Sequence, residues 1–198
     1  MKSYDEVVDF HGHSCPGLAL GYRVSLRAIK ELGNPPADEE IVAIVENDSC
    51  AVDAVQVMTG CTFGKGNLIF RDYGKQVYTF IRRATAKAVR ISVDWKKPEE
   101  TPREKSLWKK YMKGERSASV VRFVHDRKSS KIGYILEADD RELMKVTRGI
   151  SEPPPEASVY DSVICESCGE KMMEPRARRK GGKTVCIPCF EGKKLWKK

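Results

Sequence analysis

Hydrophobic residues near the start of the chain recur with the spacing of a helix and then gather in short apolar runs. The helical spacing over residues 14–33 predicts a helix with one face on a core, with Pro16 in its first turn and a Gly-Asn-Pro-Pro stretch at its end. The β-branched run of residues 40–46 predicts a buried strand. A second helix is predicted over residues 50–59, because the capping residues Asn47-Asp48-Ser49 precede it.

Further apolar runs and two more helical patterns follow a glycine-rich loop at residues 60–67. The runs predict strands of an antiparallel sheet at residues 68–73, 76–82 and 87–93. Two helices and a closing strand are predicted at residues 103–114, 117–136 and 141–146. The predicted fold class is therefore α+β, an antiparallel sheet with flanking helices, followed by a small C-terminal zinc ribbon.

The ribbon is separated from the rest of the chain by a proline-rich segment. Pro153-Pro154-Pro155 favours an extended, stiff spacer within residues 150–160. We therefore expect a core domain over residues 1–149 and a separate small domain over residues 161–198.

Four cysteines of the small domain form two Cys-x-x-Cys pairs, separated by seventeen residues. Each pair can place two sulfurs on one ion, and two pairs complete a tetrahedral shell. We expect Cys165, Cys168, Cys186 and Cys189 to bind a structural zinc ion, which supplies folding energy to a module too small to bury a core. Two redox disulfides or buried free thiols are the alternative.

Composition narrows the class of protein. The chain has 198 residues, 40% hydrophobic and 32% charged, as in soluble globular proteins. No stretch approaches the ~18 uncharged apolar residues of a membrane span. Acidic residues stand where a secretion signal needs an apolar run, so we expect a cytoplasmic location. Seven cysteines without an export signal indicate metal ligands or redox thiols rather than a disulfide framework.

The positive charge is concentrated at the C-terminus. Residues 165–198 hold ten Lys/Arg and four acids, so they carry +6 of the formal net charge of +8. The basic stretch at residues 175–183 is a candidate contact for nucleic acid phosphates or for an acidic protein face. It contains no aromatic residue for base stacking, and a solvated basic hairpin and tail is the alternative.

A cluster of histidine and cysteine lies before the first predicted helix. In an extended segment the side chains of His11, His13 and Cys15 project to the same side, so all three are candidate metal ligands. A thiol at a helix N-terminus has a lowered pKa, which also makes Cys15 a candidate nucleophile. Cys50 occupies the same position at the next helix.

The second cysteine pair of the core is separated by a helix. Cys61 lies eleven residues after Cys50, so the two could meet only through the tertiary fold or across a dimer interface. Either could instead be a small buried hydrophobe. Cys61 is a candidate ligand or catalytic nucleophile, and Lys65 a candidate anion-holding catalytic group or a plain surface lysine. The loop around Lys65 lacks the spacing of a phosphate-binding P-loop.

The residues Phe10-His11-Gly12-His13-Ser14-Cys15-Pro16-Gly17 resemble the signature of the FmdE family, which takes its name from formylmethanofuran dehydrogenase. The runs from Asp48 to Gln56 and from Gly60 to Leu68 are similar to that family's second block, and Asp72-Tyr73-Gly74-Lys75 extends the similarity. The C-terminal cysteine module resembles the DksA/TraR type of zinc finger.

The resemblance implies an α+β core that forms a homodimer and a metal or catalytic site. The implied site residues are His11, His13, Cys15, Cys50 and Cys61, with Asp48, Asp53 and Lys65 nearby. The family's name implies a link to a molybdenum or tungsten enzyme, but nothing in the chain resembles a molybdopterin site or a ferredoxin cluster pattern.

These observations lead to one main hypothesis and two alternatives. The main hypothesis is a metal-binding protein of the FmdE type, with one structural zinc in the ribbon and a second metal, expected to be zinc, in the core; its reaction, and whether it is an enzyme, stay open. The first alternative is a regulatory protein whose ribbon contacts nucleic acid or protein. The second is an accessory protein that delivers metal to a partner redox enzyme.

Overall fold

The computed structural model describes residues 1–33, 40–95 and 100–193. The chain divides into two compact units, Met1–Glu156 and Ala157–Lys198. Three expectations fall outside the described residues: the turn at residues 34–36, most of the polar connector after Trp95, and the lysines and Trp196 of the tail. None of the described helices is both long and apolar enough to cross a membrane.

The chain begins with a helix that the sequence pattern does not predict. Helix α1 spans Tyr4–His11, and a capping box between Ser3 and Glu6 starts it. The expectation of an extended segment through His11 is therefore wrong. Helix α2 spans Pro16–Leu32, close to its predicted range, and Cys15 is its N-cap.

A five-stranded sheet forms the centre of the first unit, with the order β2-β1-β3-β4-β5. Its strands are β1 (Ile41–Val45), β2 (Leu68–Phe70), β3 (Val77–Arg82), β4 (Lys87–Val93) and β5 (Met144–Ile150). All pairs are antiparallel except β1–β2, which is parallel. The α+β class is confirmed, but the prediction of an antiparallel partner is wrong for β2. Helix α3 (Ala51–Thr59) supplies the crossover that parallel neighbours need.

Three helices lie between β4 and β5 along the chain. They are α4 (Pro102–Met112), α5 (Ala118–Glu137) and α6 (Asp140–Leu143). Residues 141–143 were expected to begin the closing strand, and this is wrong. The carboxylate of Asp139 accepts from the amide of Arg141 and starts a short helix there, so β5 begins at Met144.

The core lies where α2 and α3 pack on the sheet, around fully buried residues such as Tyr78 and Phe80. Helices α2 and α3 approach each other closely at Gly21. A Cβ atom at Gly21 would lie 2.2 Å from the carbonyl oxygen of Ala51, so only glycine permits this contact. The same approach brings the N-terminal ends of α2 and α3 together.

The second unit is built from short elements. They are β6 (Ser162–Ile164), β7 (Lys171–Met173), β8 (Arg178–Lys180), β9 (Lys183–Val185) and α7 (Ile187–Glu191). Strands β6–β7 and β8–β9 form two antiparallel hairpins. Gly181 and Gly182 form the tip of the second hairpin with φ angles of 57° and 80°, a backbone conformation that favours glycine.

Candidate metal centres

One cluster of metal-ligating side chains lies in the first unit, where three helix ends meet. His11 is the last residue of α1, Cys15 is the N-cap of α2, and Cys50 directly precedes α3. Their ligand atoms all lie within 4.8 Å of one another, and Cys15 Sγ is 4.0 Å from Nε2 of His11. We call His11, Cys15 and Cys50 the core cluster.

Small residues on α2 allow the two cysteines to approach each other. A Cβ atom at Gly17 would lie 3.4 Å from Cβ of Cys50 and 3.9 Å from Sγ of Cys15. The position next to both thiols is therefore left free of a side chain. Together with the close contact of Gly21 and Ala51, this sets the distance between the two sulfurs.

Asp53 fixes the orientation of the His11 ring. Its Oδ2 atom lies 2.6 Å from Nδ1 of His11, which leaves Nε2 facing the thiols. A carboxylate on the far nitrogen of a histidine is the common partner of a metal-bound imidazole. Asp53 follows Cys50 by three residues, one turn of α3, and that spacing is the signal from which its place could be read. Asp48 is exposed, so the orienting acid is Asp53.

Local contacts also act on the two thiols. The backbone amide of Leu18 donates to Sγ of Cys15 over 3.3 Å, which favours a thiolate there. Burial raises the pKa of Cys50, and the neighbouring Cys15 raises it further. The expectation that a helix start lowers the thiol pKa is therefore wrong for Cys50. A cation between the two sulfurs would reverse this direction, because a coordinating thiol is deprotonated.

His13 lies beside the core cluster but outside it. Its ring centroid is 4.5 Å from that of His11, and its side chain is exposed. The turn that carries it is held by a hydrogen bond of 2.9 Å between Ser14 Oγ and the hydroxyl of Tyr4. The structure therefore brings His11 and Cys15 together as predicted, and adds Cys50, but leaves His13 at the surface.

Cys61 and Lys65 lie at the opposite end of α3 from the core cluster. Cys61 is fully buried in the hydrophobic core, and its thiol donates to the carbonyl oxygen of Ile41 over 3.2 Å. Burial raises its pKa, which disfavours the thiolate that a nucleophile or a ligand needs. Lys65 lies in the adjoining loop, beside Gly60. The structure does not bring either residue to the core cluster.

The second cluster lies in the second unit and contains the four cysteines of the two pairs. The sulfurs of Cys165, Cys168, Cys186 and Cys189 all lie within 4.8 Å of one another. Burial alone would raise the pKa of Cys165, but amide groups of Cys186, Cys168 and Ser167 outweigh it and lower the pKa to about 6. Four convergent thiols with amide donors fit a closed tetrahedral zinc site.

Comparison with known proteins agrees with both clusters. Residues 10–145 match the family described as FmdE, Molybdenum formylmethanofuran dehydrogenase operon. Residues 160–194 match the prokaryotic dksA/traR C4-type zinc finger. A solved structure of an FmdE-like protein of tungsten formylmethanofuran dehydrogenase, from Syntrophus aciditrophicus, has a similar fold, with a TM-score of 0.60 and 23% sequence identity. That similarity covers 96% of this chain and 94% of the other.

A curated protein from Archaeoglobus fulgidus is also similar. It is described as a probable S-adenosyl-L-methionine-binding protein and is 34% identical over 189 residues. The alignment covers 91% of this chain and 50% of the relative, so the chain spans half the length of that protein. Because the family match covers well over half of the chain, the protein belongs to the FmdE family, with a DksA/TraR-type zinc finger after the family's domain.

Proposed function

We propose that the core cluster is the functional site of the protein and that it holds a metal ion, zinc by its donor set. Two thiolates and one imidazole are the ligands of catalytic zinc sites that keep a fourth position for water or substrate. The observation that carries the proposal is the convergence of His11, Cys15 and Cys50 within 4.8 Å, with Asp53 already bonded to Nδ1 of His11.

The residues around the core cluster have distinct parts in this proposal. When bound, a zinc ion would act as a Lewis acid and lower the pKa of a water molecule. Asp53 holds His11 in the tautomer that offers Nε2, and the Leu18 amide supports a negative charge on Cys15. The exposed imidazole of His13, beside His11, is placed to exchange a proton with solvent. Cys15 remains the only proposed nucleophile, because Cys61 and Lys65 lie elsewhere.

Metal delivery is the second candidate function. The exposed His13 beside a partly exposed cluster is an entry point where a metal ion could pass to a partner redox enzyme. A catalytic site retains its ion, whereas a delivery site exchanges it rapidly. The rate at which a chelator removes the core metal therefore distinguishes the two functions.

The metal content of the full-length protein tests the main proposal. Elemental analysis should find two zinc ions per chain, and Cys15→Ala should leave one. Cys61→Ala is the matched control, since it removes another buried thiol of the same unit and should keep both ions. A Cys15→Ala protein with two metals, folded by circular dichroism, would exclude the core cluster as a metal site.

The ribbon is proposed to bind nucleic acid. Arg176, Arg178, Arg179, Lys180 and Lys183 are all exposed, and within the described part of the chain none of them pairs with an acid. Lys180 and Lys183 stand directly opposite each other in the β8–β9 hairpin, an arrangement that repulsion disfavours. A row of phosphates would relieve that repulsion.

A homodimer is proposed for the first unit. Phe10 beside the core cluster and Phe63 in the loop after α3 are 60% and 79% exposed, which is unusual for large apolar side chains and suits contact with a second copy. Light scattering on the full chain should give about twice its mass of 22.3 kDa. We also propose a cytoplasmic location, because free thiols that bind metal need a reducing compartment.

S-Adenosylmethionine is the first small molecule that we propose to test on this chain. The support is the description of the Archaeoglobus fulgidus relative, which aligns with 91% of the chain. Titration calorimetry on the wild type and on Cys15→Ala measures whether the chain binds it and whether binding needs the core cluster.

A further inference from the structure

A cleft in the first unit lies apart from the residues of the core cluster. It has a volume of about 370 Å³, within the range typical of small-molecule sites. Trp95, which follows β4, and residues of α4 and α5 line it. The lining residues used below are Trp95, Glu104, Phe123, Asp126, Arg127 and Tyr134.

The walls of this cleft present flat aromatic surfaces. The rings of Trp95 and Tyr134 are stacked, with centroids 6.1 Å apart and an angle of 27° between planes. Phe123 adds a third ring to the lining. Such surfaces favour a planar ligand, because offset stacking stabilises contacts between ring systems beyond the burial of their area.

Two buried hydrogen-bond donors at the cleft lack acceptors. Among the described residues, Nε1 of Trp95 and Nη1 of Arg127 are buried and have no hydrogen-bond partner. The guanidinium of Arg127 is held in place by an ion pair with Glu100 and by the ring of Trp108, 4.8 Å away. A buried donor without an acceptor is destabilising, so both groups call for acceptor atoms from a bound molecule.

The charge of the lining selects against phosphate. Three carboxylates line the cleft, from Glu100, Glu104 and Asp126, against the two cations Arg127 and Lys131. The lining is therefore negatively charged on balance. Carboxylates accept hydrogen bonds from hydroxyl groups and repel anions.

We propose that this cleft binds a nucleoside without a phosphate group. The heteroaromatic base would stack on Trp95 and Phe123 and supply ring acceptors to Trp95 Nε1 and Arg127 Nη1. The sugar hydroxyls would donate to the carboxylates of Glu104 and Asp126. The proposal does not depend on a metal in the core cluster.

Adenosine is the probe, and titration calorimetry on the full-length protein is the measurement. Adenosine should bind the wild type, and adenosine monophosphate should bind about tenfold more weakly or less, because of the acidic lining. Trp95→Phe keeps an aromatic ring but removes the donor, and should weaken adenosine binding about threefold to tenfold. Trp108→Phe is the matched control, since Trp108 does not line the cleft, and should bind like the wild type.

Three results would overturn the proposal. The first is no binding of adenosine at millimolar concentration to a wild type that is folded by circular dichroism. The second is equal affinity of the wild type and Trp95→Phe, which would place adenosine elsewhere. The third is tighter binding of the monophosphate, which would mean that the acids of the lining do not face the ligand.

Discussion

Asp53 Oδ2 lies 2.6 Å from Nδ1 of His11, a contact between residues 42 positions apart in the chain. The two residues belong to the first turn of α3 and the last turn of α1. This contact ties the tautomer of one histidine to the packing of two helices. It also turns a group of donors into a site with a defined open side, because Nε2 is the nitrogen left for a metal.

Asp53→Ala should weaken metal binding at the core cluster about tenfold to a hundredfold, because loss of the carboxylate frees the His11 ring and lowers its basicity. Competition with a fluorescent chelator measures the affinity, and the ribbon zinc should be unaffected. Asp48→Ala is the matched control, since this exposed acid lies before the same helix. Equal losses in the two variants would contradict the orienting role of Asp53.

Gly21→Ala should separate α2 from α3, because its Cβ would lie 2.2 Å from the Ala51 carbonyl oxygen. We expect a loss of stability of about 1–3 kcal/mol or more and loss of the core metal. Gly133→Ala is the control: Gly133 lies within α5 with no atom near its Cβ position, so the change should stabilise the helix by about 0.5–1 kcal/mol. Urea unfolding and elemental analysis give both quantities. A Gly21→Ala protein with full metal content would show that the thiols do not depend on this helix contact.

Cys165→Ser should unfold the ribbon and leave the first unit folded, since the ribbon depends on its zinc for stability. Hydrogen exchange should show loss of protection in residues 161–193 alone, with one zinc fewer per chain. Ser167→Ala changes the same turn without removing a ligand and should behave like the wild type. Retained protection of the ribbon in Cys165→Ser would mean that the metal is not what folds it.

Lys183→Gln should reduce the salt dependence of nucleic acid binding. Each phosphate contact contributes about −0.9 to the slope of log K against log salt for duplex DNA, so the slope should become about one unit less steep. Fluorescence anisotropy with a DNA duplex at several salt concentrations measures it. Lys171→Gln removes an exposed lysine from β7, outside the hairpin, and should leave the slope unchanged. Absence of DNA binding together with capture of an acidic protein would favour the protein-contact alternative.

Glu31→Gln should flatten the acid limb of the stability curve. Hydrogen bonds from Arg148 hold the pKa of Glu31 below its ordinary value; burial opposes this and Arg27 adds to it. A carboxyl with a depressed folded pKa stabilises the protein above its unfolded pKa, and that contribution disappears as pH falls through the folded value. Between about pH 5 and 3 the wild type should therefore lose more stability in urea than Glu31→Gln. Parallel curves would show that the pair contributes nothing.

The sequence alone determined the parts of the protein that depend on neighbours in the chain. The four ribbon cysteines lie in two short turns, so their spacing predicts the zinc site, and their convergence confirms it. Helix α2, strand β1 and helix α3 were predicted close to their observed bounds, because capping residues and apolar spacing are local signals.

Only the tertiary structure decided which core residues share a site. His11, Cys15 and Cys50 meet because α2 and α3 pack closely at Gly21, and the same α3 carries Cys61 away into the core. The parallel pairing of β2 likewise follows from where α3 returns the chain, a direction that an apolar run does not encode. Residue spacing identifies candidate ligands, but the distance between two helices sets which of them can bind one ion.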